Sequence, residues 1–392
     1  MTNKNIPELR FPEFEGEWER KKLGEVADVI MGQSPDGKSY NTNGIGTALI
    51  NGPVEFTEKY PVKTKWTSKP TKLCQDKDIL FCVRGSTTGR MNIANDIYCI
   101  GRGVAAIRAN KKSKTEFIEL LIVKNLVGLL TLTSGSTFFN LDSKSIKEFQ
   151  HFLPTLPEQQ KIASFLTAVD KKLQALKQKK TLLEQYKKGV MQKIFSQELR
   201  FKDENGEEFS EWKIKKVGDL GKVITGKTPS TTNLDLWNGE IQFVTPTDIN
   251  ENKYQYTTQR TIKEFSKTKI LPTQSIMFTC IASIGKMSLS TKPCVTNQQI
   301  NSIIPFKEFN NEFIFYSLLN MVDYIKSTQS SNTLPIINKT EFSKFEILVP
   351  CLAEQTKIAN SLSAIDEKIS NCQLRITNAE QWKKGLLQKM FC

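Results

Sequence analysis

Three groups of residues have types and spacing suited to meeting phosphates or nucleic-acid bases. The first is Gly221–Thr228, whose GKVITGKT spells the phosphate-loop pattern G-x-x-x-x-G-K-[ST] letter for letter. A working phosphate loop follows a strand and opens a helix whose amide groups hold the phosphates. Here Pro229 comes next, then Ser-Thr-Thr-Asn, with no apolar helical period behind them. Nor is there a hydrophobic strand ending in an acidic residue placed to hold Mg²⁺. The segment therefore reads as a strand and a polar turn in which Gly226, Lys227 and Thr228 are free to meet a phosphate backbone. The equivalent stretch, Ala27–Ser34, lacks the first glycine and the lysine and brings Gln33 and Ser34 to the same turn.

The second group is RGSTTGR, Arg84–Arg90, followed by GRGVAAIRA from Gly101. Glycines let backbone approach closely, while Arg84, Ser86, Thr87, Thr88, Arg90 and Arg102 suit phosphate oxygens and guanine edges. At an offset of 196 residues stand ASIGK, with Ser283 and Lys286, and NQQIN, with Asn297, Gln298 and Gln299. Arginine favours the O6 and N7 of guanine, and Asn or Gln the N6 and N7 of adenine, so the two halves are expected to read different bases. The third group is a pair of small, polar loops, SGSTFFN with Ser136 and Thr137, and SSNTLPI with Asn332 and Thr333. They suit backbone contact or service as linkers.

Side chains for catalysis are scarce. His151 is the single histidine, between Gln150 and Phe152 ahead of a proline, and no C-x-x-C pair occurs. A structural zinc site and a Ser-His-Asp or Cys-His apparatus have almost nothing to use. No catalytic or metal-ligating residue is expected. The eight cysteines are scattered along a chain without an export signal and read as free buried thiols.

What positions these groups is a duplication. PTLPEQQKIASFLTAVDKK from Pro154 returns as PCLAEQTKIANSLSAIDEK from Pro350, and KKGVMQKIF (Lys187 to Phe195) as KKGLLQKMF (Lys383 to Phe391). Upstream, ELRF at Glu8 recurs at Glu198, and KKLGEVADVIMGQSP (Lys21 to Pro35) matches KKVGDLGKVITGKTP (Lys215 to Pro229). Between these anchors the halves differ almost completely, as expected of one scaffold applied to two ligands or sites. The repeat divides the chain into modules at 1–153 and 197–349, each followed by a long helix, at 154–196 and 350–392.

In the first helix Ile162, Val169, Leu176, Leu183 and Val190 recur every seven residues, and in the second Ile358, Ile365, Cys372, Ala379 and Leu386 keep the same register. Each offers one apolar seam, and the simplest partner for one seam is the other. At 1.5 Å per residue, a helix of roughly 38 residues spans about 57 Å, long enough to hold two heads apart. Each module reads as mixed α/β. Short strands fall at 26–31, 79–83 and 104–108, then at 222–225, 276–281 and 301–304. An amphipathic helix follows near 115–132 and again near 311–325, the first opened by a capping box of Ser113 and Glu116.

The composition suits a polyanionic partner. Lys plus Arg number 55 against 41 Asp plus Glu, a net charge of +14. The opening MTNKNIPELRF lacks the apolar core of a signal peptide, and no window approaches a membrane span, so a cytoplasmic location is expected.

The pattern LPxLxEQxKIA at Leu153–Ala163, echoed at Val349–Ala359, the KKGxxQKxF helix ends and the duplicated KKxG starts together resemble the specificity subunit of type I restriction-modification systems. The resemblance covers nearly the whole chain, though Ala353 replaces Pro157 in the second copy. It implies two target-recognition domains, each reading one half of a split, asymmetric DNA site, and two antiparallel helices that set the gap. It also implies partners: modification subunits that bring S-adenosylmethionine and methylate adenine, and restriction subunits that use ATP and Mg²⁺. No cofactor is expected on this chain, which carries no N-P-P-[FY] methylation motif and is expected to be inactive alone. The competing expectation from the residues is a protein-interaction scaffold with incidental basic charge.

Overall fold

The repeated KKxG motif explains how each module starts. In the first, Glu19–Lys22 forms a strand antiparallel to Gln150–Leu153, and in the second Lys213–Lys216 pairs in the same way with Glu346–Val349. Each opening strand runs into a single helical turn whose acidic third residue caps the strand's last amide. Lys22 N donates to Glu25 Oε1 at 2.9 Å, and Lys216 N to Asp219 Oδ2 at 3.1 Å. Glycine suits the inside of the turn, where a Cβ at Gly24 would crowd the Lys147 side chain at 3.0 Å and one at Gly218 would crowd Ser343 at 3.2 Å.

The computed structural model describes residues 5–131, 140–250, 252–264, 269–329 and 335–392. The chain divides into two compact units, Met1–Lys177 with Leu374–Cys392, and Gln178–Gln373. Each unit therefore holds one module together with a portion of both long helices.

In the first unit a four-stranded antiparallel sheet runs Ala27–Met31, Val104–Ala109, Ile79–Cys82, Met91–Ile93. Successive side chains of a strand point to opposite faces, so a strand covered on both sides reads as a continuous apolar run. Ile79 and Phe81 pack in a core with Phe117, Ile118 and Leu121 of the helix Thr115–Leu130, while Leu80 and Cys82 pack with Tyr98 and with Ile50 and Ile100 of a second, smaller sheet. The smaller sheet has the order Tyr40–Asn41, Trp66–Thr67, Thr47–Ile50, Cys99–Ile100.

The second unit repeats this plan with one strand more in its larger sheet and one fewer in its smaller. Its larger sheet runs Gly221–Thr225, Ile300–Pro305, Ile276–Thr279, Met287–Ser290, Tyr254–Gln255, and its smaller one Arg260–Ile262, Trp237–Val244, Cys294–Thr296. Ile276 and Phe278 meet Phe313 and Ile314 of the helix Asn311–Ser327, and Met277 meets Val244 and Leu271 on the other face.

The expected helix after the first module forms, but the capping box does not. Lys114 is the residue before the helix and makes no side-chain cap. The Ser113 hydroxyl instead donates to the Val26 carbonyl at 2.5 Å, and the Lys114 amide is taken by Gln159 Oε1 at 3.1 Å. A tertiary contact satisfies the end that the local motif was expected to satisfy. In the second module Asn310 does cap locally, accepting from Phe313 N at 3.0 Å.

The long helices span Leu156–Phe195 (40 residues) and Leu352–Lys389 (38 residues). In the first unit Ile162, Leu166 and Val169 share a core with Leu386 and Met390, and Lys383 pairs with Asp170 at 2.5 Å. In the second, Met191 and Ile194 share a core with Ile358, Leu362 and Ile365, and Lys187 pairs with Asp366 at 2.6 Å. The start of one helix meets the end of the other in both cases, which is an antiparallel pair. Ile162, Val169, Leu176, Ile358, Ile365, Cys372 and Leu386 are buried, while Leu183, Val190 and Ala379 are half-buried. Among the described residues, no helix is long and apolar enough to cross a membrane.

Candidate nucleic-acid interface

Strand direction gathers the expected residues. In the first unit's larger sheet, Ala27–Met31 and Ile79–Cys82 end, and Met91–Ile93 and Val104–Ala109 begin, at the same edge. The loops there are tied to one another through the backbone. Gly32 N donates to Val104 O and Gln33 N to Ile100 O, both at 2.9 Å; Val83 N donates to Gly103 O, also at 2.9 Å. The Ser34 hydroxyl accepts from Arg102 N at 3.2 Å. A Cβ at Gly32 would fall 2.2 Å from Gly101 O, so only glycine permits this approach. Gln33, Arg84, Ser86, Arg90 and Arg102 are exposed along this edge, with Ser34, Thr87 and Thr88 half-buried.

Thr88 serves the loop itself: its hydroxyl donates to Gly85 O at 2.8 Å. Arg108, at the far end of its strand, is consumed by a two-pronged ion pair with buried Asp78, at 2.8 and 2.7 Å. Asn140 reaches the edge as well, bridged to Arg84. Ser136 and Thr137 lie outside the described residues.

The second unit builds the same edge from different side chains. Gly226 N donates to Ile300 O at 3.1 Å and Lys227 N to Thr296 O at 2.8 Å, and a Cβ at Gly226 would fall 2.2 Å from Asn297 O. No helix opens here, so the phosphate-loop spelling carries no phosphate-loop structure. Lys227 is exposed, and the Thr228 hydroxyl donates to Gln298 Oε1 at 2.5 Å. Gln298 and Lys286 are exposed, while Gln299 and Ser283 are half-buried.

Asn297 is buried, its amide nitrogen donating to Gln299 Oε1 at 2.9 Å, so it shapes the loop that displays Gln298. Asn301 of the same motif is also internal, accepting from the Thr225 hydroxyl at 2.7 Å and donating to Ile337 O at 3.2 Å. Asn332 and Thr333 lie outside the described residues.

Two clusters escaped the sequence reading. The first is a pair of buried clamps. Arg10 holds Glu158 through Nε and an η nitrogen at 2.8 and 2.7 Å, and Trp18 Nε1 donates to the same carboxylate at 3.2 Å. Arg200, Trp212 and Glu354 repeat the arrangement at 3.2, 2.9 and 3.0 Å. Each fixes the ELRF segment of a module to the first turn of a long helix. The repeated arginine of ELRF and glutamate of EQxKIA, together with Trp18 and Trp212, were the available signal. The second is a polar knot in the second unit, where Lys253 Nζ meets Glu312 at 3.1 Å and Ser363 at 2.8 Å, and Tyr316 donates to Asp366 at 2.5 Å. Burial and the neighbouring carboxylates push the Tyr316 phenol well above its ordinary range.

The reserve of reactive groups is small. Burial raises the thiols of Cys74, Cys280 and Cys294 to about 12 and that of Cys82 to about 11. All eight cysteines are free, but the expectation of burial fails at Cys351, which is exposed beside the start of its helix, and at Cys392, which is half-buried. His151 is buried with neither ring nitrogen hydrogen-bonded among the described residues, and desolvation lowers its pKa to about 4. Among the described residues, no group of three His, Cys, Asp or Glu could hold a metal ion.

Comparison with known proteins agrees with the repeat. A family model described as type I restriction modification DNA specificity domain matches twice, at residues 15–185 and 209–380. The MjaIX specificity subunit of a type I restriction enzyme from Methanocaldococcus jannaschii is 33% identical over 187 residues, covering 45% of this chain and 43% of that protein. The HindI specificity subunit from Haemophilus influenzae is 36% identical over 146 residues, 36% of this chain and 32% of that protein. The chain spans less than half the length of each of these curated relatives. A crystal structure of the S subunit of a type I restriction-modification system from M. genitalium superposes with a TM-score of 0.63 over 99% of both chains at 16% identity, a likeness of fold. With two matches that together take in most of its residues, the chain belongs to the type I restriction modification DNA specificity domain family.

Proposed function

We infer that this chain is the DNA-reading subunit of a type I restriction-modification assembly. Each unit applies the loop edge of its larger sheet to one half of a bipartite, asymmetric site, and the paired helices set the spacer and dock modification subunits. The observation that carries this reading is the double use of one edge. The same close glycine approach displays Gln33, Ser34 and Arg102 in one unit and Lys227, Thr228 and Gln298 in the other. One backbone frame with two side-chain sets is what reading two unlike half-sites requires. Methyl transfer from S-adenosylmethionine and ATP- and Mg²⁺-dependent cleavage then belong to modification and restriction subunits, and this chain contributes no catalytic group.

Band-shift titration at 50 and 200 mM salt, with and without a co-expressed modification subunit, tests the reading. Binding that weakens by several orders of magnitude between the two salts is expected of a surface that neutralises many phosphates. If neither preparation binds duplex DNA in a salt-sensitive way, the reading fails.

A further inference from the structure

Arg260 was not among the residues picked out by the sequence, yet it is the arginine of the second unit's smaller sheet and its guanidinium is stacked in place. It stands opposite Phe243 in the pairing of Arg260–Ile262 with Trp237–Val244. Its guanidinium carbon lies 3.5 Å from the centre of the Trp237 ring. That indole is itself packed and hydrogen-bonded: it is 4% exposed, meets Phe243 edge-on at 5.2 Å, and donates from Nε1 to Ser230 O at 3.0 Å. A planar guanidinium stacked on a ring keeps its N–H groups around its rim, available to a planar acceptor pair.

Other arginines are spent internally, Arg10 on Glu158, Arg108 on Asp78 and Arg200 on Glu354. Among the described residues, the Arg260 guanidinium enters no ion pair. Its platform is tied to the loop edge at both ends. Ser230 lies three residues beyond Lys227, and Val244, which closes the strand begun by Trp237, accepts from Asn297 N at 3.0 Å. In the first unit the corresponding position opposite Leu49 is Lys65, whose ammonium is a point charge without a fork.

We propose that Arg260 is a base-reading residue of the second unit, making a two-pronged contact with the O6 and N7 of a guanine in the half-site that this unit reads. The proposal rests on the DNA-reading function inferred above and adds one guanine to a unit whose loop edge otherwise displays amides and lysines. Stacking on Trp237 holds the fork in place before DNA arrives.

The test is selection from a duplex library randomised across both half-sites. The parent chain and the Arg260→Lys and Arg260→Gln variants are each co-expressed with the modification subunit, and the selected DNA is sequenced. The parent is expected to select a bipartite consensus with a guanine that Arg260→Lys discriminates at least roughly tenfold less well, and that Arg260→Gln shifts toward adenine. The other half-site should be unchanged in both. An unaltered consensus in both variants, or a uniform weakening with every base preference kept, as a phosphate contact would give, overturns the proposal and leaves the DNA reading standing. A parent that selects no consensus overturns both.

Discussion

His151 shows how a residue that invites a catalytic reading is accounted for by its surroundings. Both of its ring nitrogens are buried without hydrogen-bond partners among the described residues, its ring stacks near Phe149, and desolvation depresses its pKa to about 4. The unfolded chain, with an ordinary imidazole near 6.5, binds a proton that the folded chain refuses. Stability is therefore full above pH 6.5 and falls as the pH drops from about 6.5 to about 4, by up to roughly 3 kcal/mol from this group. His151→Phe should flatten that part of the stability profile relative to the parent, measured by urea unfolding at pH 7 and pH 4.5. Equal losses in the two proteins would show that His151 does not titrate as described. At this scale the sequence was only partly legible. Composition pointed to Gln33, Arg102 and Lys227, but not to the burial of Asn297 or the stacking of Arg260, because both depend on strands joined far along the chain.

At the scale of elements, periodicity and repetition carried most of the information. The heptad seams predicted that the two long helices pair, the antiparallel sense being what the family resemblance implied, and burial of Ile162, Val169, Ile358 and Ile365 agrees with the seams. The half-burial of Leu183 and Ala379 was not visible in the pattern, which gives spacing but not the neighbours at each layer. The β-rich run at Ile79–Val83 marked a strand, which forms at Ile79–Cys82, although the smaller sheets, built from segments as short as Tyr40–Asn41 and Trp66–Thr67, left no period to detect. The missing Ser113 cap has the same origin, since Gln159 arrives from another element. If the helices set the spacer, adding one heptad to each, between Leu176 and Leu183 and between Cys372 and Ala379, lengthens the pair by about 10 Å. Mapped methylation sites should then show a gap wider by about three base pairs with the same half-site bases. An unchanged gap would remove the ruler role.

For the molecule as a whole, duplication was the most legible feature, because Pro154–Phe195 and its copy 196 residues later constrain the fold at every matching position. The reading surfaces were less legible for the same reason that they differ. Their side chains are free to change while the glycine approach at Gly32 and Gly226 keeps the backbone frame. The central claim is that each module reads its own half-site. It is tested most directly by exchanging residues 1–153 for the first module of another family member and mapping adenine methylation in cells that also carry the modification subunit. The account predicts that one half of the methylated sequence changes and the other half stays intact. A change in both halves, or in neither, would contradict it.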